Sequence, residues 1–332
     1  MSHLVRVHAP SRLHFGLLAL GAPAQRQFGG VGVMVDAPGL TISFRARPAG
    51  AGERFTAVGP LAERALAFAR RFAEHGFENA AGDALGCQIE IESAPPEHVG
   101  LGTGTQLGLA VAAGLDRLAA GGAGGQRATD DEATPWAARI GRGERSAIGT
   151  HGFARGGLLV EGGKPAGGGV SALVSRVELP ETWRFVLLVD GEKRGLSGAE
   201  ERRAFAELPP SQPDITAALC REVLIDLLPA ALEGDFEAFG ESVYRYGHAS
   251  GLLFAERQGG AYAAGRETEL VAWLGSRGVR GVGQSSWGPT IFALCRDSAE
   301  AATLAADATD HFAGLTATVA APANHGARIE FE

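Results

Sequence analysis

A glycine-rich stretch that runs directly into an apolar helical pattern constrains the fold of this chain more than any other feature. Glycine occupies alternate positions 100, 102 and 104, shortly after two prolines. Because glycine permits positive φ and close backbone approach, successive N–H groups in this stretch can converge on an anion. The helix that follows directs its partial positive end to the same place. Its apolar positions recur at helical spacing: Leu107, Val111, Leu115 and Leu118.

This stretch predicts a strand, a phosphate-binding loop and a buried helix, in that order. The loop lacks the Gly-Lys-Ser/Thr ending of a Walker A motif, and the later glycine of a dinucleotide-binding fingerprint is missing. A glycine turn in which Thr103 or Thr105 caps the helix would need no ligand. Both interpretations of the loop stay open at this point.

Charge and composition narrow the classes of function. The 332 residues suffice for two domains, and 45% hydrophobic with 20% charged residues is typical of a soluble globular protein. A net charge of −8 without a Lys/Arg run offers no footprint for nucleic acid or a membrane surface. No apolar run approaches the roughly 20 residues of a membrane span, and Leu4–His8 lacks the character of a signal peptide. Three distant cysteines argue against a zinc site, so we expect a cytoplasmic protein.

Strand and helix patterns alternate along the chain with antiparallel hairpins, which predicts an α+β fold. A continuous apolar strand begins shortly after Pro180 and indicates the start of a second half. We therefore expect two domains, residues 1–178 and residues 179–332, with the glycine-rich loop in the first.

Several elements are predicted from turn residues and periodicity. A strand over residues 3–8 is expected to end at Pro10. Residues 26–36 form a glycine-rich loop that enters a strand, and residues 41–46 are expected to return as its hairpin partner. Residues 216–232 carry one amphipathic helical pattern.

Two basic side chains alternate with apolar ones just after Pro10. A strand over this segment places Arg12 and His14 on one face, where both can be directed at a ligand. The same pattern also fits an ordinary solvated face of a sheet.

A second cationic segment covers residues 141–153. Arg142, Arg145 and His151 lie there among small residues that let a ligand reach them, and guanidinium groups suit bidentate phosphate or carboxylate binding. The alternative is that the arginines only hold the loop in place through neighbours such as Glu144.

Three segments together resemble the GHMP kinase superfamily. Residues 95–112 are similar to its proline-led Gly-Leu-Gly-Ser-Ser-Ala motif, residues 9–18 to its first motif and residues 281–288 to its third. The resemblance extends over essentially the whole chain. It implies an N-terminal domain of ribosomal-protein-S5-like topology, a C-terminal ferredoxin-like domain and a ligand cleft between them. It also implies that the glycine-rich loop holds a polyphosphate.

The segment before Gly156 and Gly157 departs from the kinases of this superfamily. Those kinases carry an aspartate there that helps to activate the acceptor hydroxyl, whereas residues 145–155 contain no carboxylate. Phosphoryl transfer to a hydroxyl benefits from a positioned base and from Mg²⁺ ligands. With Arg145 and His151 in its place, the segment favours binding of an anion over acid–base chemistry.

These departures resemble one branch of the superfamily, the beta-ribofuranosylaminobenzene 5′-phosphate synthases. Four segments carry the resemblance in the same order, namely residues 11–16, 29–32, 100–107 and 141–157. The resemblance implies transfer of ribose 5-phosphate from phosphoribosyl pyrophosphate (PRPP) to 4-aminobenzoate or 4-hydroxybenzoate, with release of CO₂ and pyrophosphate. The product is a C-riboside of tetrahydromethanopterin biosynthesis.

Such a reaction requires charge stabilisation, alignment and a dry pocket, and no covalent nucleophile. Arg145, His151 and Arg26 are the catalytic candidates, as cations near the phosphates or the substrate carboxylate. Mg²⁺ is expected to arrive with PRPP, held by its pyrophosphate oxygens, since the sequence shows no dedicated metal cluster. The substrate-binding candidates are Arg12, His14, Gly100, Gly102, Thr103, Gly104, Thr105, Gln106, Arg142, Ser285, Ser286 and Trp287.

Alternative functions stay open from the sequence. The acceptor can be a pyrazole carboxylate, as in C-nucleoside synthases, and the loops also fit a small-molecule kinase or a non-catalytic sensor of phosphate ligands. Trp287 is either a stacking wall for the acceptor ring or a residue of interdomain packing. The expected partners are the two small-molecule substrates. Members of the superfamily are often dimers, so a homodimer is the expectation, although no two-fold surface is identifiable.

Overall fold

A computed structural model describes the chain over residues 4–21, 26–48, 52–74, 76–78, 82, 84–121, 125–191, 195 and 198–332. Strands β1 to β12 span Leu4–Ala19, Arg26–Pro48, Phe55–Val58, Leu85–Ser93, Leu158–Glu161, Lys164–Pro165, Leu173–Val177, Arg184–Asp190, Val282–Gln284, Ile291–Cys295, Leu315–Ala320 and Arg328–Phe331. Helices α1 to α11 span Ala62–Ala73, Thr103–Ala119, Asp130–Arg139, Ile148–Arg155, Gly198–Ala206, Pro213–Arg221, Leu228–Glu233, Phe236–Leu252, Ala255–Gln258, Arg266–Ser276 and Ser298–His311. A π-helical segment, Glu222–Leu227, joins α6 to α7.

The first sheet is built around the long antiparallel pair β1 and β2. Its main path runs β12-β1-β2-β4-β3. Strands β5 and β6 pair with the N-terminal half of β2, and β7 pairs with β5. The last strand of the chain belongs to this sheet, since Val5 of β1 lies opposite Phe331 of β12. The C-terminal strand therefore pairs across the division expected after residue 178.

The second sheet is a four-stranded antiparallel sheet in the order β11-β8-β10-β9. Successive residues of β8 point to opposite faces of the sheet, and both faces are buried. Val186 and Leu188 pack in one buried cluster with α10 and α11, whereas Phe185 and Leu187 pack with α8 and with β1 and β2. That second cluster joins the two halves of the molecule and fixes the cleft between them.

Helix α2 lies buried against the first sheet, as its apolar stripe predicts. Leu107, Val111 and Leu115 have no exposed surface. Close approach depends on Gly114, because a Cβ there would collide with the ring of Phe44 on β2. The packing of α2 fixes the position of its N-terminus at the mouth of the cleft.

Pro10 does not end the first strand. β1 continues through it to Ala19, and the pairing with β2 shifts register between Ala9 and Ser11, opposite residues 36–39 of β2. Because proline has no N–H, the ladder is interrupted at that point and β2 bulges outward. Residues 41–46 then pair with the start of β1, so the expected hairpin is one bent strand.

Two helical predictions also need correction. Residues 148–155 form helix α4 and not a loop, because the small side chains of Gly149 and Gly152 let the helix pack closely against Thr105 and Met34. The pattern over residues 216–232 is interrupted by the π-helical segment. Among the helices of the described residues, none has the length and apolar character needed to cross a bilayer.

Candidate active site

The glycine-rich loop ends in the first turn of α2. Gly102 has φ +72° and precedes the helix, which begins at Thr103, four residues earlier than the apolar pattern predicts. The N–H groups of Thr105 and Gln106 both donate to the Gly102 carbonyl, at 2.9 and 3.1 Å. Helix geometry leaves the earlier N–H groups of the first turn without intrahelical acceptors, next to the positive end of the helix dipole. The Thr103 hydroxyl donates to the Pro96 carbonyl at 2.9 Å and holds the loop in this shape.

Three arginines from separate elements surround this helix start. Arg12 comes from β1, Arg64 from α1 and Arg142 from the segment between α3 and α4. A Cβ added to Gly104 would collide with the Arg64 guanidinium and lie 3.3 Å from Nη2 of Arg142. One added to Gly102 would lie 3.5 Å from Nε of Arg12. The glycines thus let guanidinium groups approach the helix N-terminus, and we call this region the arginine compartment.

An aromatic cluster forms the other side of the cleft. The rings of Trp287 and Phe205 stack with centroids 4.6 Å apart and an interplanar angle of 17°. Phe254 meets Trp287 edge-on at 5.0 Å. These three rings and Tyr262 line a cavity of about 160 Å³, which we call the aromatic compartment. The aromatic rings in its wall suit a flat aromatic ligand.

The two compartments share one wall and form a single cleft. Residues that line both are Arg12, Thr105, Arg142, Arg145, Ser286 and Trp287. Arg145 connects the two chemically, because its guanidinium lies 4.5 Å from the ring centroid of Phe205. Among the described residues that line the cleft, the one carboxylate is that of Glu144, which is exposed at the rim. The cleft therefore favours either one anionic ligand that also carries an aromatic group, or an anionic ligand and an aromatic ligand side by side.

The loop before β10 holds the glycine-rich loop and β1 together. The Ser285 hydroxyl donates to the Gly100 carbonyl at 2.7 Å and accepts from the His14 amide at 3.0 Å. The Ser286 amide donates to the His14 carbonyl at 3.1 Å. Ser285 is fully buried and positions the cleft from behind, whereas Ser286 and Trp287 line it.

His14 is a buried histidine that lines the aromatic compartment. Its Nε2 lies 3.2 Å from the Ser146 hydroxyl. Burial, and then the charge of Arg12, lower the pKa of His14 well below its ordinary value of 6.5. The imidazole is therefore neutral at pH 7, able to exchange hydrogen bonds without adding a positive charge.

Three predicted site residues lie outside the cleft. His151 is buried behind it, with Nε2 2.8 Å from the Ser171 carbonyl and Nδ1 3.4 Å from Asp130. Arg26 is exposed and donates to the Gly163 carbonyl at 2.9 Å. Gln106 is buried, and its amide donates to the Gly149 carbonyl at 2.9 Å. The structure thus places none of these three side chains in the lining of the cleft, and their predicted roles stay predictions.

The structure also adds residues that the sequence pattern did not reveal. Arg64 lies on the charged face of α1, where the helical pattern predicts solvent, yet it reaches Gly104. Phe205 and Phe254 come from α5 and from the turn after α8. Neither segment carries a motif, so only the three-dimensional arrangement brings these rings to Trp287.

The fold is that of the GHMP kinase superfamily. Its N terminal domain family matches residues 63–157 and its C terminal family matches residues 227–314. Homoserine kinase from Cytophaga hutchinsonii superposes with a TM-score of 0.68 at 16% identity, over 98% of this chain and 97% of that one. Mevalonate pyrophosphate decarboxylase from Streptococcus pyogenes does so with 0.67 at 13% identity, over 97% of both. These structural likenesses, together with the family matches, confirm the predicted α+β class.

Curated relatives give a finer assignment, and they carry the name beta-ribofuranosylphenol 5′-phosphate synthase. The protein from Methanothermobacter thermautotrophicus is 32% identical over 87% of this chain and 88% of its own length. The protein from Archaeoglobus fulgidus is 28% identical over 89% of both. The chain belongs to the beta-ribofuranosylphenol 5′-phosphate synthase family, which confirms the family predicted from the four segments. The name of these relatives contains phenol, whereas the sequence resemblance names the aminobenzene compound.

Proposed function

We propose that this enzyme transfers ribose 5-phosphate from PRPP to the ring carbon that bears the carboxylate of 4-hydroxybenzoate or 4-aminobenzoate. A carbon–carbon bond forms between that ring carbon and C1 of the ribose. The bond from C1 to pyrophosphate breaks, and the carboxylate leaves as CO₂, so its electron pair restores the aromatic ring. The observation that carries the proposal is the single cleft in which the arginine compartment opens directly into the aromatic compartment.

The arginine compartment supplies what the departing pyrophosphate needs. As C1 becomes electron-poor, negative charge grows on the leaving phosphate oxygens, and guanidinium groups together with helix N–H groups stabilise it. Arg12, Arg64 and Arg142 come from three different elements of the fold, so their positions are set before the ligand binds. Such preorganised charge is worth most where water is excluded.

The aromatic compartment aligns the acceptor ring. The rings of Trp287, Phe205 and Phe254 confine the acceptor ring within the cavity, so that the reacting carbon faces the ribose. Arg145 lies at the boundary, where it can hold the carboxylate until CO₂ leaves. The Tyr262 hydroxyl and the Trp287 Nε1 are buried polar groups that have no hydrogen-bond partner among the described residues. They offer hydrogen bonds to the polar substituent of the acceptor.

We expect Mg²⁺ to enter with PRPP, held by the oxygens of the pyrophosphate. Mg²⁺ prefers carboxylate and phosphate oxygens, whereas the charged side chains that line the helix start are arginines, of which Arg64 is paired with the Glu97 carboxylate. No cluster of three or more His, Cys, Asp or Glu suited to a metal occurs among the residues that the structure describes.

The proposal is tested by incubating the purified protein with PRPP, Mg²⁺ and one acceptor at a time. The panel contains 4-hydroxybenzoate, 4-aminobenzoate and a pyrazole carboxylate, and both CO₂ and pyrophosphate are measured. Release of both with a benzoate supports the proposal. Release only with the pyrazole carboxylate, or ATP consumption with a sugar or polyol and no release from PRPP, overturns it.

A further inference from the structure

One arginine of the arginine compartment is held by a carboxylate that lies just before the glycine-rich loop. Nη1 of Arg64, on α1, donates to Oε1 of Glu97, and the two side chains are 28% and 26% exposed. The same guanidinium lies so close to the first turn of α2 that a Cβ on Gly104 would collide with it. Glu97 itself does not line the cleft and reaches it through Arg64. Arg64 therefore lies between a carboxylate and the helix start at which an anion would bind.

The backbone on both sides of Glu97 is fixed by hydrogen bonds. The Pro96 carbonyl accepts from the Thr103 hydroxyl at 2.9 Å. The His98 carbonyl accepts from the Gly195 amide at 2.6 Å, and His98 has φ +61°, a left-handed conformation that is uncommon for a residue other than glycine. Such a conformation persists only where the surrounding structure enforces it. The carboxylate of Glu97 is thus held in place before any ligand binds.

A cluster of guanidinium groups beside a helix N-terminus carries two electrostatic costs. Without a ligand, the half-buried arginines repel one another and have lost part of the hydration that stabilises a charge. With pyrophosphate bound, the same positive charges hold a multiply charged product tightly, and slow product release limits turnover in many enzymes. A carboxylate that is paired with one of the arginines reduces both costs.

We propose that Glu97 is a displaceable counter-ion, which holds Arg64 in the empty arginine compartment and competes with pyrophosphate for this guanidinium in the loaded one. Glu97 is thus a positioning residue that acts through Arg64 and sets how tightly the compartment holds a polyphosphate. The inference rests on the proposed function in one respect, the choice of pyrophosphate as the anion that is bound and released.

The binding of inorganic pyrophosphate with Mg²⁺, measured by calorimetry on the purified protein, tests this role without turnover. Glu97→Gln keeps the size of the side chain and an oxygen that can accept from Arg64, but it removes the negative charge. We expect its Kd for pyrophosphate to fall about 5-fold, the effect of one half-buried ion pair. If Glu97→Gln does not fold, Glu97→Ala replaces it and is expected to shift the Kd in the same direction.

Glu63→Gln is the matched control for the change of charge. Glu63 precedes Arg64 on α1 and is exposed, so loss of its charge is screened by solvent. We expect its Kd for pyrophosphate to stay within about 2-fold of the wild type.

A double-mutant cycle separates action through Arg64 from a general effect of charge. Arg64→Ala is expected to raise the Kd for pyrophosphate about 10-fold, as for the loss of one hydrogen bond to a charged group. Adding Glu97→Gln to Arg64→Ala should then change the Kd by less than about 2-fold. The inference is overturned by an unchanged or higher Kd in Glu97→Gln, by an equal effect with and without Arg64, or by a wild type that does not bind pyrophosphate.

Turnover separates this inference from the proposed function. With the benzoate acceptor, inhibition by pyrophosphate competing with PRPP should strengthen about 5-fold in Glu97→Gln. If the wild type releases CO₂ and pyrophosphate but Glu97→Gln binds pyrophosphate as the wild type does, the proposed function stands and the inference fails. If Glu97→Gln binds pyrophosphate more tightly and the wild type turns over no acceptor, the inference stands and the proposed function fails.

Discussion

The guanidinium of Arg145 lies 4.5 Å from the ring centroid of Phe205. Phe205 also stacks on Trp287, so side chains that are far apart in the sequence form one cluster. A cation–π contact of this kind holds a long side chain in one orientation. Arg145 is thereby placed at the boundary of the arginine and aromatic compartments. Charge recognition and ring recognition thus depend on one side chain.

Replacing Arg145 with alanine is expected to lower kcat/KM for the ribosyl transfer by about 100-fold, as for loss of one preorganised donor to developing charge. The melting temperature is expected to change little, because the lost cation–π contact is worth about 0.5–1 kcal/mol. Arg221→Ala is the control, since Arg221 is exposed and pairs with Asp226 far from the cleft. Wild-type turnover in Arg145→Ala removes this residue from the site.

The glycine-rich loop is tested by comparing Gly102→Val with Gly121→Val. Both glycines have positive φ, +72° and +65°, at the two ends of α2, so both variants carry backbone strain of about 1–3 kcal/mol. A side chain at position 102 also meets Arg12, whereas nothing lies within 4 Å at position 121. Steady-state kinetics should show a KM for PRPP raised at least 10-fold for Gly102→Val alone. Equal PRPP affinity in the two variants would contradict binding of PRPP by the glycine-rich loop.

Trp287→Leu is expected to raise the KM for the aromatic acceptor about 5- to 10-fold, which corresponds to the loss of one aromatic contact in the wall of the cavity. The KM for PRPP should change less than 2-fold, as for a group outside its main contacts. Trp273→Leu serves as the control, because Trp273 stacks on His311 in the second domain. A larger increase in the KM for PRPP than in the KM for the acceptor would show that Trp287 contacts PRPP and not the acceptor.

The buried His14 makes stability depend on pH in a defined sense. Its pKa is lower in the folded protein than its ordinary 6.5, so the unfolded chain binds the proton more tightly. The contribution is therefore intact above pH 6.5 and is lost as the pH falls below it, by about 1 kcal/mol per pH unit. Urea unfolding at pH 7.5, 6.0 and 5.0 should show a shallower loss for His14→Gln than for wild type. Parallel curves would mean that His14 is not buried as a neutral group.

The sequence predicts much of the fold because its strongest signals are local. Glycine at position 102 permits a positive φ, and the stripe from Leu107 to Leu118 indicates one buried helix face, so the loop and α2 follow from the chain alone. Pro10 misleads because its missing N–H predicts a strand end, whereas the long partner strand tolerates the gap by bulging.

The site is harder to predict than the fold because side-chain direction depends on tertiary packing. Arg145 and His151 belong to one cationic segment, yet helix α4 directs His151 inward to Ser171 and Asp130 while Arg145 faces the cleft. Glu161 behaves in the same way, since a carboxylate at a strand end predicts solvent contact. It is nevertheless buried, because β5 packs against the start of α4.

The coupling of ribosyl transfer to decarboxylation is tested by the stoichiometry of the reaction with 4-hydroxybenzoate labelled with ¹³C at the carboxyl group. The purified enzyme is mixed with PRPP, Mg²⁺ and this acceptor, and labelled CO₂, pyrophosphate and the ribosylated ring are measured over time. We expect the three products to appear in a ratio of 1:1:1, with a carbon–carbon bond in the riboside and with no requirement for ATP. Pyrophosphate release without labelled CO₂, or a riboside that retains the carboxylate, would contradict it.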